Sequence, residues 1–103
     1  MSGDRAGQES LTGRDRRRLR SRGQTLAALF TVGKGGLTAG SLRKVSDLLD
    51  EQDLLKVRVL PGAPMSADAA AAQLAESAKA DVVQVLGNTI LLHRASKESA
   101  KRS

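Results

Sequence analysis

Hydrophobic residues along the chain recur with two different periods. From Leu42 to Leu49 the apolar positions lie three or four residues apart, which is typical of one face of a helix. From Leu55 to Val59 apolar and basic residues alternate, which is typical of a strand with one buried face. Applied to the whole chain, these patterns predict helices over residues 13–21, 39–52 and 67–80, and strands over residues 26–32, 54–60, 82–86 and 89–93.

Residues that begin and end helices stand at the borders of these segments. Thr12, Thr38 and Ser66 each come directly before a predicted helix, where a side-chain oxygen accepts a hydrogen bond from the first turn. Asp15 follows Thr12 by three positions and completes a shortened capping box. Gly23 is expected to end the first helix. These signals agree with the periodicity and support the three helices.

The order of elements is α-β-α-β-α-β-β, which predicts an α/β (α+β two-layer) fold built on a four-stranded mixed sheet. Each crossover through a helix is expected to be right-handed and to make its two strands parallel. A tight turn at Gly87-Asn88 should add the last strand in the antiparallel direction. If both crossovers progress the same way, the second and third helices cover one face of the sheet. The first helix is then left to pack at an edge or on the other face.

Charge is distributed unevenly along the 103 residues, whose formal net charge is +6. Residues 1–23 carry +4, residues 24–94 are neutral, and residues 95–103 carry +2. We expect one domain at 11–94, a disordered tail at 1–10 and a basic C-terminal tail at 95–103. Cationic ends around a neutral fold favour a polyanionic partner. The alternative is that the arginines only keep frayed ends in solution.

The first predicted helix has the densest charge in the chain and a thin apolar stripe, chiefly Leu19. Arg14 and Arg17 share one row of this helix, and Arg16 and Arg20 share another. Such a helix does not persist by itself in water, so it must dock on the sheet. We expect Leu19 to anchor it and the four arginines to face phosphates, which makes them candidate RNA-binding residues.

A glycine-rich segment joins the first predicted strand to the second predicted helix. It consists of Gly33, Lys34, Gly35 and Gly36, with Thr38 as the helix cap. Glycines let a ligand's backbone approach closely, and a helix N-terminus behind them favours an anion. The lysine follows the first glycine, unlike that of a nucleotide-triphosphate loop, whereas KH-type modules clamp a nucleic-acid backbone with a Gly-x-x-Gly loop. The alternative is that the connection needs glycine only for steric reasons.

The second predicted helix has basic residues near its start and acidic residues near its end. Arg43 and Lys44 lie in the early turns, and Asp47, Asp50 and Glu51 follow. Both placements oppose the helix dipole, and an anionic partner at the N-terminal end would relieve part of that cost. The alternative is a solvated face without a function. Arg43, Lys44 and Thr38 are nevertheless included among the candidate RNA-binding residues.

Composition excludes several classes of function. The chain has no cysteine, no signal-peptide core and no apolar run near the ~20 residues of a membrane span, so we expect a cytoplasmic protein without membrane contact. Its one aromatic residue, Phe30, provides no stacking platform, so RNA should be recognised through backbone and shape. The lone histidine, His93, is interpreted as an ordinary strand residue, and we predict no catalytic site, no metal and no cofactor.

Four blocks of sequence also resemble a known family. They are Leu11-Thr12 before the basic helix; V-G-K-G-G-L-T at 32–38, followed by Gly40; D-L-L-K-V-R-V at 53–59, similar to E-L-I-K-V-K; and V-Q-V-L-G-N-T-I-L-L-H-R at 83–94, similar to V-Q-V-I-G-K-T-L-V-L-Y-R. In this order and spacing they resemble the CRM domain (chloroplast RNA splicing and ribosome maturation) in its stand-alone bacterial, YhbY-like form. The resemblance covers roughly residues 11–94.

The resemblance implies an RNA-binding domain with a KH-like loop, similar in fold to the C-terminal domain of bacterial translation initiation factor three. It also implies ribosomal RNA precursors as the partner and a role in large-subunit assembly. We further expect a monomer. Asn88 and His93 stand where the family frequently has Lys and Tyr, so the resemblance leaves open whether the hairpin contacts RNA. The alternative function is a small protein-interaction or structural accessory domain with solubilising basic ends.

Overall fold

The element order predicted from the sequence is confirmed in a computed structural model, which describes residues 12–94. The elements are α1 (Gly13–Gly23), β1 (Phe30–Val32), α2 (Ala39–Glu51), β2 (Leu54–Val59), α3 (Ala67–Ala78), β3 (Asp81–Leu86) and β4 (Thr89–His93). The predictions for residues 1–10 and 95–103 lie outside the described residues. Within residues 12–94 no helix is long and apolar enough to cross a membrane.

The four strands form one mixed sheet in the order β1-β2-β4-β3. Strands β1 and β2 are parallel, and β4 is antiparallel to both β2 and β3. The first three strands therefore all run in one direction, as the crossovers predict, although β4 lies between β2 and β3. Gly87 has a φ of +60° while Asn88 does not have a positive φ, which makes the β3–β4 connection a type II′ turn.

The side chains of β2 divide between the two faces of the sheet. Leu55, Val57 and Val59 are buried in a cluster that also contains side chains of α2 and α3. Leu54 points to the other face and belongs to a second, smaller cluster. Helices α2 and α3 therefore cover one face, as predicted, and the alanine-rich stripe of α3 lets that helix lie close to the sheet.

Helix α1 packs on the other face of the sheet. Leu19 is buried against Leu54, Val83 and Leu91, which gives the helix the anchor predicted from the sequence. The capping box at its start is also present: Asp15 N donates to Thr12 Oγ1 at 3.0 Å, and Thr12 N donates to Asp15 Oδ2 at 3.3 Å. An anchored, capped helix can carry many arginines that would disfavour it in isolation.

Helix α1 ends at Gly23, as predicted, but Gly23 is its last helical residue and has no positive φ, so it is not a left-handed cap. A Cβ at Gly23 would come within 2.7 Å of Leu91 Cδ2. Glycine is therefore needed here so that α1 can lie close to β4. The helical segment itself runs two residues beyond the predicted 13–21.

Four predicted segments are too long: those at 39–52 and 54–60 by one residue each, and two others by more. The first strand was expected over 26–32, but β1 is only Phe30–Val32, because Leu26 N still donates to Gly23 O in the turn after α1. The third helix was expected to reach 80, but it ends at Ala78, because the next residue, Lys79, adopts a left-handed conformation with a φ of +56°. A lysine in this conformation carries no sequence signal, since glycine is the usual residue there.

Arg94 joins both helices of the covered face to the end of β4. Its guanidinium donates to Ala78 O, Ser46 O and Asp50 Oδ1, each at 2.7 Å, and to Ser46 Oγ at 3.2 Å. These acceptors come from α2 and α3, so Arg94 links the two helices at one end of the sheet. This basic residue therefore has a structural role.

Candidate nucleic-acid interface

The glycine-rich loop between β1 and α2 forms a closed turn. Gly36 N donates to Gly33 O at 2.9 Å, and Gly36 has a φ of +69°. A Cβ at Gly36 would come within 2.9 Å of Pro64 Cγ, whereas a Cβ at Gly35 would meet no atom within 4 Å. Gly36 is therefore required by the fold, and Gly35 is the glycine whose open side leaves room for a ligand.

The loop leads directly into the N-terminus of α2. Thr38 caps the helix by accepting a hydrogen bond from Ser41 N at 3.1 Å. In the described part of the chain, the N–H groups of Ala39 and Gly40 have no hydrogen-bond partner. Lys34 is exposed in the same loop, and its stem passes over Gly62. The loop thus combines a cation, unpaired N–H groups and open backbone, which suits an anionic ligand.

The arginines of α1 fall into two groups, and the first group is already engaged within the protein. Arg16 Nη1 donates to Val82 O at 2.7 Å and to Val83 O at 3.3 Å. Arg18 forms an ion pair with Asp15 at 3.2 Å. The third, Arg22, donates a hydrogen bond from each of its two terminal nitrogens to the carboxylate of Asp53, at 2.9 and 3.1 Å. These three side chains hold α1 together or hold it on the sheet.

The second group consists of Arg14, Arg17 and Arg20. None of them has a hydrogen-bond or ion-pair partner among residues 12–94, and Arg14 and Arg17 are exposed. At 100° per residue, Arg17 and Arg20 lie on the side of α1 opposite Arg22, which faces Asp53. Arg20 therefore borders the part of the sheet that α1 leaves uncovered, and Arg17 lies next to it on the outer flank of the helix.

Two cations on that uncovered part of the sheet were absent from the sequence-based candidates. Lys56 and Arg58 alternate with the buried residues of β2, so they lie on the same face of the sheet as α1. Arg58 is exposed and pairs in register with Thr31 and Thr89. The signal was available, because the alternation in β2 sets both side chains opposite the core. The sequence did not show on which face of the sheet α1 packs.

We call Arg17, Arg20, Lys56 and Arg58 together the cationic face; Arg14 lies on the side of α1 opposite Gly23 and so points away from the sheet. The cationic face extends along β2 from α1 toward the glycine-rich loop, where a Cβ at Gly33 would lie 3.9 Å from Leu60 Cδ1. The six-residue step from Leu54 to Leu60 corresponds to about 20 Å of strand. Arg43 and Lys44 are exposed on α2, beyond the sheet from α1.

The acidic groups near α1 keep their charge through local contacts. The hydrogen bond from Arg22 lowers the pKa of Asp53 from its usual 3.8, and the same contact raises the pKa of Arg22. Hydrogen bonds from the backbone and side chain of Thr12 lower the pKa of Asp15. These two carboxylates thus neutralise Arg18 and Arg22.

The histidine lies beside this acidic contact. His93 Nε2 is 3.8 Å from Asp53 Oδ2, and its buried Nδ1 has no hydrogen-bond partner within the described residues. Its side chain is partly buried at the end of β4. Residues 12–94 contain no group of three or more His, Cys, Asp or Glu side chains placed to hold a metal ion.

A sheet with helices on both faces, an open glycine-rich loop and a cationic face together define a small α+β domain with a concentrated positive surface. The chain belongs to the CRS1/YhbY (CRM) domain family, whose model matches residues 11–94.

Two relatives illustrate the similarity. The chain is 36% identical over 89 residues to the "Probable RNA-binding protein YqeI" of Bacillus subtilis (strain 168), covering 86% of this chain and 93% of that protein. Among solved structures, it is similar to SAV1595 of Staphylococcus aureus, for which RNA binding has been suggested. The TM-score is 0.73 at 34% identity, covering 85% of this chain and 92% of the other.

Proposed function

We propose that this protein binds structured RNA through its backbone, using the glycine-rich loop and the cationic face. One observation carries the proposal: the acids near α1 pair with Arg18 and Arg22, whereas the cationic face has no acidic partner among residues 12–94. A surface of unpaired guanidinium and ammonium groups attracts a polyanion and releases its counterions on binding. The names of the relatives support RNA as that polyanion.

The loop supplies the second half of the proposed site. Gly35 leaves open space beside the exposed Lys34, and unpaired N–H groups of α2 follow. A phosphate placed there would receive backbone hydrogen bonds and the positive end of the helix dipole. Gly33, Gly36 and Thr38 shape this loop, while Arg43 and Lys44 extend the proposed contact along α2.

We further propose that the RNA is a ribosomal RNA precursor and that the protein acts as a monomer in large-subunit assembly in the cytoplasm. The support is the resemblance of the four sequence blocks to stand-alone bacterial YhbY-like proteins. Crosslinking in cells, followed by sequencing of the bound RNA, tests this directly. We expect large-subunit precursor RNA to be enriched over other abundant RNAs. Equal recovery of all RNAs would contradict the assignment.

The binding itself is tested by fluorescence anisotropy with a short RNA stem-loop at salt concentrations between about 0.05 and 0.2 M. We expect the logarithm of the association constant to fall linearly with the logarithm of the salt concentration. No binding at the lowest salt would contradict RNA binding and favour the alternative, a protein-interaction or accessory domain. Affinity that does not change with salt would contradict binding through the backbone.

A further inference from the structure

A groove lies on the uncovered face of the sheet, between the C-terminal half of α1 and the β3–β4 hairpin. Its volume is about 170 Å³, and its lining includes Arg20, Lys56, Gln84, Leu86, Thr89 and Leu91. We propose that this groove receives a single unpaired nucleobase of the bound RNA. The inference rests on the proposed function. It adds one subsite that recognises a base, on a surface that otherwise contacts the RNA backbone.

The groove offers apolar surface on two sides. Leu91 is buried beneath it, and Leu86 stands at the hairpin with 68% of its surface exposed, the most exposed large apolar side chain among the described residues. Glycine at position 23 keeps this part of the groove open, because any larger residue there would displace Leu91. A flat, largely apolar base face fills such a space and removes Leu86 from water.

The same groove holds polar groups of the kind that base edges need. The Gln84 amide can both donate and accept, and so can the Thr89 hydroxyl. Both residues are only partly buried, and neither side chain has a hydrogen-bond partner within residues 12–94. Unused donors and acceptors beside apolar walls suit a heteroaromatic ring that carries its own donors and acceptors.

Charge at the rim favours a nucleotide over an apolar peptide side chain. Arg20 and Lys56 border the groove, no acidic residue lines it, and neither cation has an ion-pair partner in the described chain. The phosphates on either side of a base in the groove would lie near these two cations. Bases within a duplex are stacked inside it and cannot enter, so the occupant must come from a loop or bulge.

The inference differs from the expectation drawn from composition. With Phe30 as the sole aromatic residue, recognition by RNA shape alone was expected. Leu86 and Leu91 offer the base face an aliphatic contact in place of the aromatic platform that other RNA-binding domains use. We therefore expect weaker discrimination than an aromatic platform gives, but a measurable preference for RNA with an unpaired nucleotide.

The test compares two RNA duplexes that are identical except for one bulged nucleotide. By fluorescence anisotropy, the unmodified protein should bind the bulged duplex about five- to tenfold more tightly, the lower end of the range for stacking of one base. Leu86→Ala and Gln84→Met should reduce this ratio toward one and leave the affinity for the fully paired duplex unchanged. Leu29→Ala, which alters an exposed leucine just before the edge strand β1 that does not line the groove, should keep the ratio.

Two outcomes would overturn the inference. Equal binding of both duplexes by the unmodified protein would show that no base is received. A ratio that persists in Leu86→Ala, with circular dichroism showing an unchanged fold, would place the base elsewhere. Either result leaves RNA binding in place, whereas failure to bind both duplexes would contradict the proposed function itself.

Discussion

Replacing the unpaired arginines of α1 should weaken RNA binding in a way that salt titration can count. The change is Arg14, Arg17 and Arg20 to Gln, which keeps helix propensity and removes three charges. None of the three has a partner within residues 12–94, so none is needed to hold α1 on the sheet. The variant should therefore remain folded.

The expected size of the effect follows from the number of phosphate contacts. Each lost contact reduces the slope of log affinity against log salt by about 0.7 to 0.9, so three lost contacts reduce it by roughly two to three units. All RNAs should be weakened to a similar degree, because phosphate contacts carry no sequence information. Fluorescence anisotropy with one stem-loop over a series of salt concentrations measures the slope.

Arg16 provides the matched control on the same helix. Its guanidinium donates to the carbonyls of Val82 and Val83, so Arg16→Gln should cost about 1–2 kcal/mol of stability. The slope should then change little, because that side chain is engaged with the protein. An unchanged slope in the triple variant would refute the reasoning, and so would an Arg16→Gln variant that lowers the slope as much as a change at Arg20.

Three further predictions concern the loop, the helix connection and acid stability. Gly35→Asp should lower RNA affinity at least tenfold without unfolding the protein, because a Cβ meets no atom there. Gly35→Ala controls for the added bulk, and the exposed Gln73→Glu controls for a negative charge elsewhere. Unchanged affinity in Gly35→Asp would exclude the loop as the clamp. Arg94→Met should reduce the free energy of unfolding in urea by about 2–3 kcal/mol, because four acceptors lose their donor; a loss below about 0.5 kcal/mol would contradict this role. Asp53 has a lowered pKa in the folded protein, so its stabilising contribution is complete above its ordinary value of 3.8 and is lost as the pH falls through the folded value. Asp53→Asn should flatten the loss of stability below about pH 4, and an identical acid profile would disprove the contribution.

The arrangement of elements could be predicted because local signals and periodicity agree. Thr12, Thr38 and Ser66 begin the three helices where the sequence places them. The predicted boundaries that were wrong lie where such agreement is missing. Leu26 was predicted as part of a strand but packs beside α1, and Lys79 caps α3 where glycine is the usual residue. In both cases tertiary contacts or backbone geometry override the local preference.

The candidate site was less predictable, because its composition depends on pairing between distant residues. The sequence shows a run of arginines, but Asp53 and the carbonyl of Val82 lie far along the chain from the arginines that they engage. Only the fold separates these engaged arginines from the unpaired ones. Lys56 and Arg58 were overlooked for the same reason, since α1 and β2 share a face only in the folded chain.

The central claim is that the loop and the cationic face bind one RNA as a continuous surface, and backbone amide chemical shifts measured by NMR during RNA titration test it most directly. The account predicts that the amides of Gly35, Arg20 and Lys56 shift together, with the same apparent dissociation constant. Gln73, exposed on α3 on the other face of the sheet, should not move. Shifts confined to α3, or separate dissociation constants for the loop and for α1, would contradict a single RNA surface.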